Sequence, residues 1–132
     1  QPRSRGLGDV YKRQFTSSLL RKHDLTLTDI QEWAVHPGGR SILDKVQQSL
    51  RLPENALEAS RSVLADYGNM SSATVMFVLK ELMENAETDR AMTMAMAFGP
   101  GLTVETAVLE RIGCPTVSRQ PANEKSHAPQ KV

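Results

Sequence analysis

The chain has 132 residues, 39% of them hydrophobic and 23% charged, with a formal net charge of +1. That is a one-domain length with ordinary globular composition. It gives no charge excess that would draw nucleic acid or a membrane surface, and no apolar run reaches the roughly 20 residues needed to span a bilayer. One cysteine, Cys114, rules out an internal disulfide framework and fits a reducing, cytoplasmic setting.

The first 14 residues stand apart. Arg3, Arg5, Lys12 and Arg13 against Asp9 leave a net +3 there and −2 over the remainder. This stretch has no apolar periodicity and lacks an initiator methionine. It reads as an adaptor-derived tail ahead of a partial reading frame, to be excluded from fold reasoning. Phe15 to His23 reads as the end of a helix, with Phe15, Leu19 and Leu20 on one side. Asp24 to Gln31 is a connection with room for one helical turn. Trp33, Ala34 and Val35 form a short apolar run that ends at Pro37, as a buried strand would.

Gly38 and Gly39 then make a turn, and helical spacing follows from Arg40 to Leu50 through Ile42, Leu43, Val46 and Leu50. Pro53 interrupts it. A second helical stretch runs from Ala56 to Tyr67, and Gly68 and Asn69 stop it because both tolerate left-handed backbone. Ser71 or Ser72 is placed to cap the next helix, Ala73 to Leu82, which is apolar nearly all round and so expected to be deeply buried. Ala91 to Phe98 and Leu102 to Ile112 flank Gly99-Pro100-Gly101 and read as an antiparallel hairpin. Residues 113–132 are polar, patternless and expected to be disordered. The order strand, helix, helix, helix, strand, strand is an α/β arrangement on a mixed sheet, and it is incomplete, since the strand expected before the first helix is missing.

Three places could carry chemistry. His36 sits where a buried strand meets a two-glycine turn, and strand ends facing a crevice are where α/β folds place active sites; a structural histidine in a turn is an equal alternative. Asn69 taken alone reads better as a helix-capping residue than as a functional one. Gly99-Pro100-Gly101 is explained by the hairpin. Cys114 is a better free thiol than nucleophile. His23 and His127 lack ligand-like spacing, so no metal site is expected, and no phosphate-binding glycine loop is present.

Together the segments say more. HPGGRSILD (36–44), YGNMSSA (67–73) and FGPGLTVE (98–105), in this order, resemble the type III polyketide synthases, the chalcone and stilbene synthase family of the thiolase superfamily. The resemblance runs from Phe15 to Leu109. Related condensing enzymes keep the histidine and asparagine but differ around them: ketoacyl-carrier-protein synthase III has His-Gln-Ala-Asn where this chain has HPGG, and plant elongase synthases lack the Pro-Gly of the last loop.

The resemblance implies an α/β, thiolase-like carboxyl-terminal domain over 15–112 that ends in the hairpin. It implies an acyltransferase that performs decarboxylative Claisen condensation of malonyl-coenzyme A onto an acyl-coenzyme A starter, as a cytoplasmic homodimer when full length, with coenzyme A thioesters as substrates and no cofactor. His36 and Asn69 match the family's catalytic histidine and asparagine. Gly38, Gly39 and Ser41 match the segment that meets coenzyme A. Ser71 and the loop Phe98, Gly99, Pro100 and Gly101 match positions that shape the cavity, with Ala97 where a glycine is common. The family's nucleophilic cysteine belongs upstream of His36, where this chain has none. The chain alone is therefore expected to be inactive and to expose apolar surface. A ketoacyl synthase or elongase fragment, or a non-catalytic interaction domain on the same fold, are the alternatives.

Overall fold

A computed structural model describes residues 7–113. The elements are α1 (Leu7–Arg21), β1 (Glu32–Val35), α2 (Arg40–Leu50), α3 (Glu58–Tyr67), α4 (Thr74–Glu84), β2 (Arg90–Gly99) and β3 (Thr103–Ile112), with short 3-10 turns at Leu27–Asp29, Glu54–Leu57, Ser71–Ala73 and Pro100–Leu102. The order matches the expectation of one strand, three helices and two strands after the opening helix.

The three strands form one mixed sheet in the order β1-β2-β3. β1 lies parallel to β2, with Trp33 beside Met94 and Val35 beside Met96. β2 and β3 form the expected antiparallel hairpin, from Arg90 opposite Ile112 to Gly99 opposite Thr103. Side chains alternate across a strand, so the sheet has two unlike faces. One carries Trp33, Val35, Met94 and Met96, which pack with Leu20, Leu43, Val46, Leu50 and Leu57 into the main core. The other carries Ala34 and Ala95 under Val63 and Val78 of α3 and α4. Small residues there let the two helices approach the sheet closely. On this face Glu32, Thr93 and Arg111 link all three strands. The Arg111 Nη2 donates to Glu32 Oε1 at 2.8 Å, and the Thr93 hydroxyl donates to Glu32 Oε2 at 2.7 Å.

Two expectations need correction, on the capping and the burial of α4, and one element is longer than expected. The first helix starts at Leu7, inside the stretch read as a tail. Its glycine, Gly8, falls in the first turn, where a missing side chain costs little, and the residues after it have ordinary helix propensity. Its inward face is Thr16 and Leu20, both fully buried, while Phe15 points outward. Neither Ser71 nor Ser72 caps α4; that helix follows Ala73, which makes no side-chain capping bond. Finally, α4 is not buried all round. Thr74 and Val78 face the sheet, but Met76 and Met83 are 63% and 66% exposed. Phe77 leans on the exposed Tyr67 ring with centroids 5.4 Å apart. An all-round apolar helix needs cover on every side, and among the described residues only one side has it.

Candidate active site

The end of β1 is tightly fixed. The fully buried Ser60 of α3 donates its hydroxyl to the Val35 carbonyl at 2.7 Å. The next residue, His36, extends the parallel ladder by one rung, its N–H donating to Met96 O at 2.7 Å. Pro37, fully buried, ends the strand because it has no N–H to offer. The chain then folds back, with Gly38 N–H donating to the His36 carbonyl at 3.0 Å. A methyl at Gly38 would stand 2.9 Å from Ile42 Cδ1 and 3.8 and 4.0 Å from the imidazole Cδ2 and Nε2. A side chain there would therefore press on Ile42 and stand in ordinary contact with the half-buried His36 ring. Gly39 opens α2, its carbonyl accepting from Ile42 N–H at 3.2 Å, with nothing within 4 Å of where its Cβ would be. Ser41 lies exposed in the first turn of that helix.

The second arm comes from the end of α3. Gly68 caps it, donating its N–H to Leu64 O at 3.0 Å, and turns the chain with φ 70° and ψ −164°. Asn69 then reaches back across 31 residues. Its Nδ2 donates to the Gly38 carbonyl at 3.3 Å, and its Oδ1 accepts from the Ser71 N–H at 2.9 Å. A carboxamide has two donor hydrogens and one acceptor oxygen. A carbonyl on one side and an N–H on the other allow only one orientation of this amide. Among the described residues one Nδ2 hydrogen is left over. Asn69 thus does local capping work, but through Ser71, and it is Ser71 that takes the left-handed backbone, at φ 64°.

The third segment, Phe98 to Gly101, lies at the carboxyl end of β2. Because β1 and β2 are parallel, that is the end of the sheet where His36 emerges. Pro100–Leu102 make a 3-10 turn with Gly101 at φ 72°, closed by the Thr103 hydroxyl donating to Pro100 O at 2.9 Å. Phe98 is half-buried against the main core.

The structure thus brings His36, Gly38 and Asn69 into one cluster, with Gly39 and Ser41 beginning the helix beside it and Phe98 to Gly101 at the same sheet end. Ser71 enters by its backbone; its side chain is exposed. Two supporting hydroxyls, Ser60 and Thr74, are absent from the sequence-based set. The signal for Ser60 was available, since it shares the inward helical spacing of Leu57 and Val63. Cys114 and His127 lie outside the described residues. Among the described residues no group of three or more His, Cys, Asp or Glu could hold a metal ion.

The family model for the carboxyl-terminal domain of chalcone and stilbene synthases matches residues 14–113. Among solved structures, the chain is similar to PKS-I from the brown alga Ectocarpus siliculosus at 35% identity with a TM-score of 0.71, over 79% of this chain and 29% of that one. The chain therefore spans less than a third of the length of that relative. From its motifs, its mixed sheet and these matches, the chain belongs to the chalcone and stilbene synthase family of type III polyketide synthases, and carries sequence of their carboxyl-terminal domain.

Proposed function

We propose that this chain supplies His36 and Asn69 as the charge-stabilising pair of a decarboxylative Claisen condensation, within a longer polyketide synthase. The supporting observation is the turn at Gly38, two residues beyond His36, whose carbonyl receives the Asn69 carboxamide in one orientation.

In this reading a cysteine thiolate, contributed from sequence upstream of His36, takes the acyl group of the starter coenzyme A thioester and releases coenzyme A. His36 holds that cysteine in its thiolate form, the nucleophilic one. Malonyl-coenzyme A then loses carbon dioxide, and the electron pair of the broken C–C bond becomes an enolate on the thioester. The charge sits on the thioester oxygen. An N–H of His36 and the free Nδ2 hydrogen of Asn69 donate to that oxygen. The enolate carbon attacks the acyl-cysteine carbonyl, the C–S bond breaks, and the thiolate is restored. Two preplaced donors stabilise the charge without reorganising, and each is worth about 3 kcal/mol of barrier. Both partners arrive as thioesters, so the bond changes need no resident cofactor.

The backbone at Gly38, Gly39 and Ser41 lies where the pantetheine arm would run, and glycine allows close approach. Ser71 and the loop Phe98 to Gly101 shape the cavity in which the chain grows. The chain has no cysteine before His36, so the 132 residues by themselves are expected to show no condensation. The complete enzyme works in the cytoplasm as a homodimer. The test is the full-length protein with malonyl-coenzyme A and an acyl-coenzyme A starter, with and without acyl carrier protein. Condensation of free coenzyme A thioesters supports the proposal. Strict dependence on the carrier protein would assign the chain to the ketoacyl synthases instead, and no condensation under either condition would favour a non-catalytic domain.

A further inference from the structure

We propose that Thr74 is a positioning residue for the Asn69 carboxamide; this rests on the catalytic reading of Asn69. Thr74 is fully buried at the start of α4. Its hydroxyl makes two bonds to the loop above it. It accepts from the Met70 N–H at 2.8 Å and donates to the Ser71 carbonyl at 2.7 Å. These two backbone groups bracket the peptide unit that joins Met70 to Ser71. The N–H of that unit is the one that holds Asn69 Oδ1.

Ser71 adds the reason why a clamp is needed. Its left-handed backbone, φ 64°, is disfavoured for a residue with a side chain, by roughly 1–2 kcal/mol. Such conformations persist where the surroundings over-determine them. Here the fixed element is the Thr74 hydroxyl, seated on the sheet side of α4. A loop that relaxed at Ser71 would swing its N–H away from Asn69 Oδ1. The carboxamide would then keep only its bond to Gly38 O, about which it could turn, and the free Nδ2 hydrogen would lose its aim. The connection thus runs from a buried hydroxyl, through one peptide unit, to the donor.

The experiment uses the full-length enzyme and the decarboxylation of malonyl-coenzyme A. Thr74→Val keeps the volume and removes both bonds. It is expected to lower kcat about tenfold, a loss of the kind small misplacement produces, with KM changed less than about twofold. Thr74→Ser restores the hydroxyl and is expected to recover kcat. In an Asn69→Ala background, Thr74→Val should add no further loss, because its effect passes through Asn69. Full kcat in Thr74→Val, or a loss that multiplies with Asn69→Ala, would overturn the proposal. If Thr74→Val does not accumulate as folded protein, hydrogen exchange on the unsubstituted enzyme decides. The Met70 amide is expected to be protected although it lies outside a helix, and exchange at the rate of an open amide would overturn the clamp. Failure of the parent reading looks different: His36→Ala and Asn69→Ala would then leave decarboxylation intact.

Discussion

Gly68 offers the sharpest test of the local backbone argument. Its φ of 70° and ψ of −164° lie in a region that only glycine occupies readily. An added Cβ would meet nothing within 4 Å. The cost of Gly68→Ala is therefore purely conformational, about 1–3 kcal/mol. Against it stands about 0.4–1 kcal/mol gained by restricting the unfolded chain. The net expectation is a loss of about 1–2 kcal/mol. In urea, with an m-value of about 1–1.5 kcal/mol per molar, the midpoint should fall by about 1 M at unchanged slope. A mirror-image control isolates the cause. For a D-residue these angles are equivalent to φ −70° and ψ 164° in an L-residue, close to polyproline II. A semisynthetic chain with D-alanine at 68 should thus be at least as stable as the glycine form. Equal stability of the L- and D-alanine chains would refute the reasoning, since open space treats both alike.

Other outcomes follow from the same geometry. Glu32 and Arg111 are only 14% and 12% exposed and pair in a two-pronged bond. Arg111→Met should cost about 2–4 kcal/mol by stranding a carboxylate, whereas the double variant Glu32→Met with Arg111→Met should recover much of it; simple additivity in denaturation curves would contradict this. Gly38→Ala presses on the movable end of Ile42, so its stability cost should be about 1 kcal/mol. Its methyl occupies the space beside the imidazole, so condensation in the full-length enzyme should fall far more than stability does. The Asp29 carboxylate accepts from the Thr26 N–H at 2.7 Å and then from the Thr26 hydroxyl, which holds its pKa below the ordinary 3.8. A lowered folded-state pKa means that the carboxylate's contribution is present above the unfolded value and is lost as pH falls through the lower folded one. A carboxyl-carbon NMR titration should place the Asp29 midpoint below that of an unstructured aspartate; a midpoint above it would contradict the turn.

Much of the fold was legible because punctuation and periodicity agreed. Pro37, Gly39 and Pro53 bound α2, and its apolar spacing gave Arg40 to Leu50 as observed. Gly99-Pro100-Gly101 located the hairpin turn. The misreadings have specific causes. Apolar residues all round α4 spoke of burial, but the cover for Met76, Phe77 and Met83 is not among the described residues. Asn69 looked like a left-handed stop, yet the positive φ values fall on either side of it, at Gly68 and Ser71, and Asn69 works through its side chain. The site itself was legible only in part. Local pattern marked the turn at His36, but nothing in the spacing reveals that Asn69 reaches Gly38, because that contact depends on how α3 packs against β1. The family resemblance, and not periodicity, joined the two segments beforehand.

The central claim is that His36 and Asn69 stabilise one developing negative charge. The most direct measurement is the rate of malonyl-coenzyme A decarboxylation by the full-length protein carrying His36→Ala or Asn69→Ala. The account expects each to lower kcat by about 10²–10³-fold, the usual loss for one oxyanion donor, while the folded state persists. Near-normal decarboxylation in both variants would contradict it.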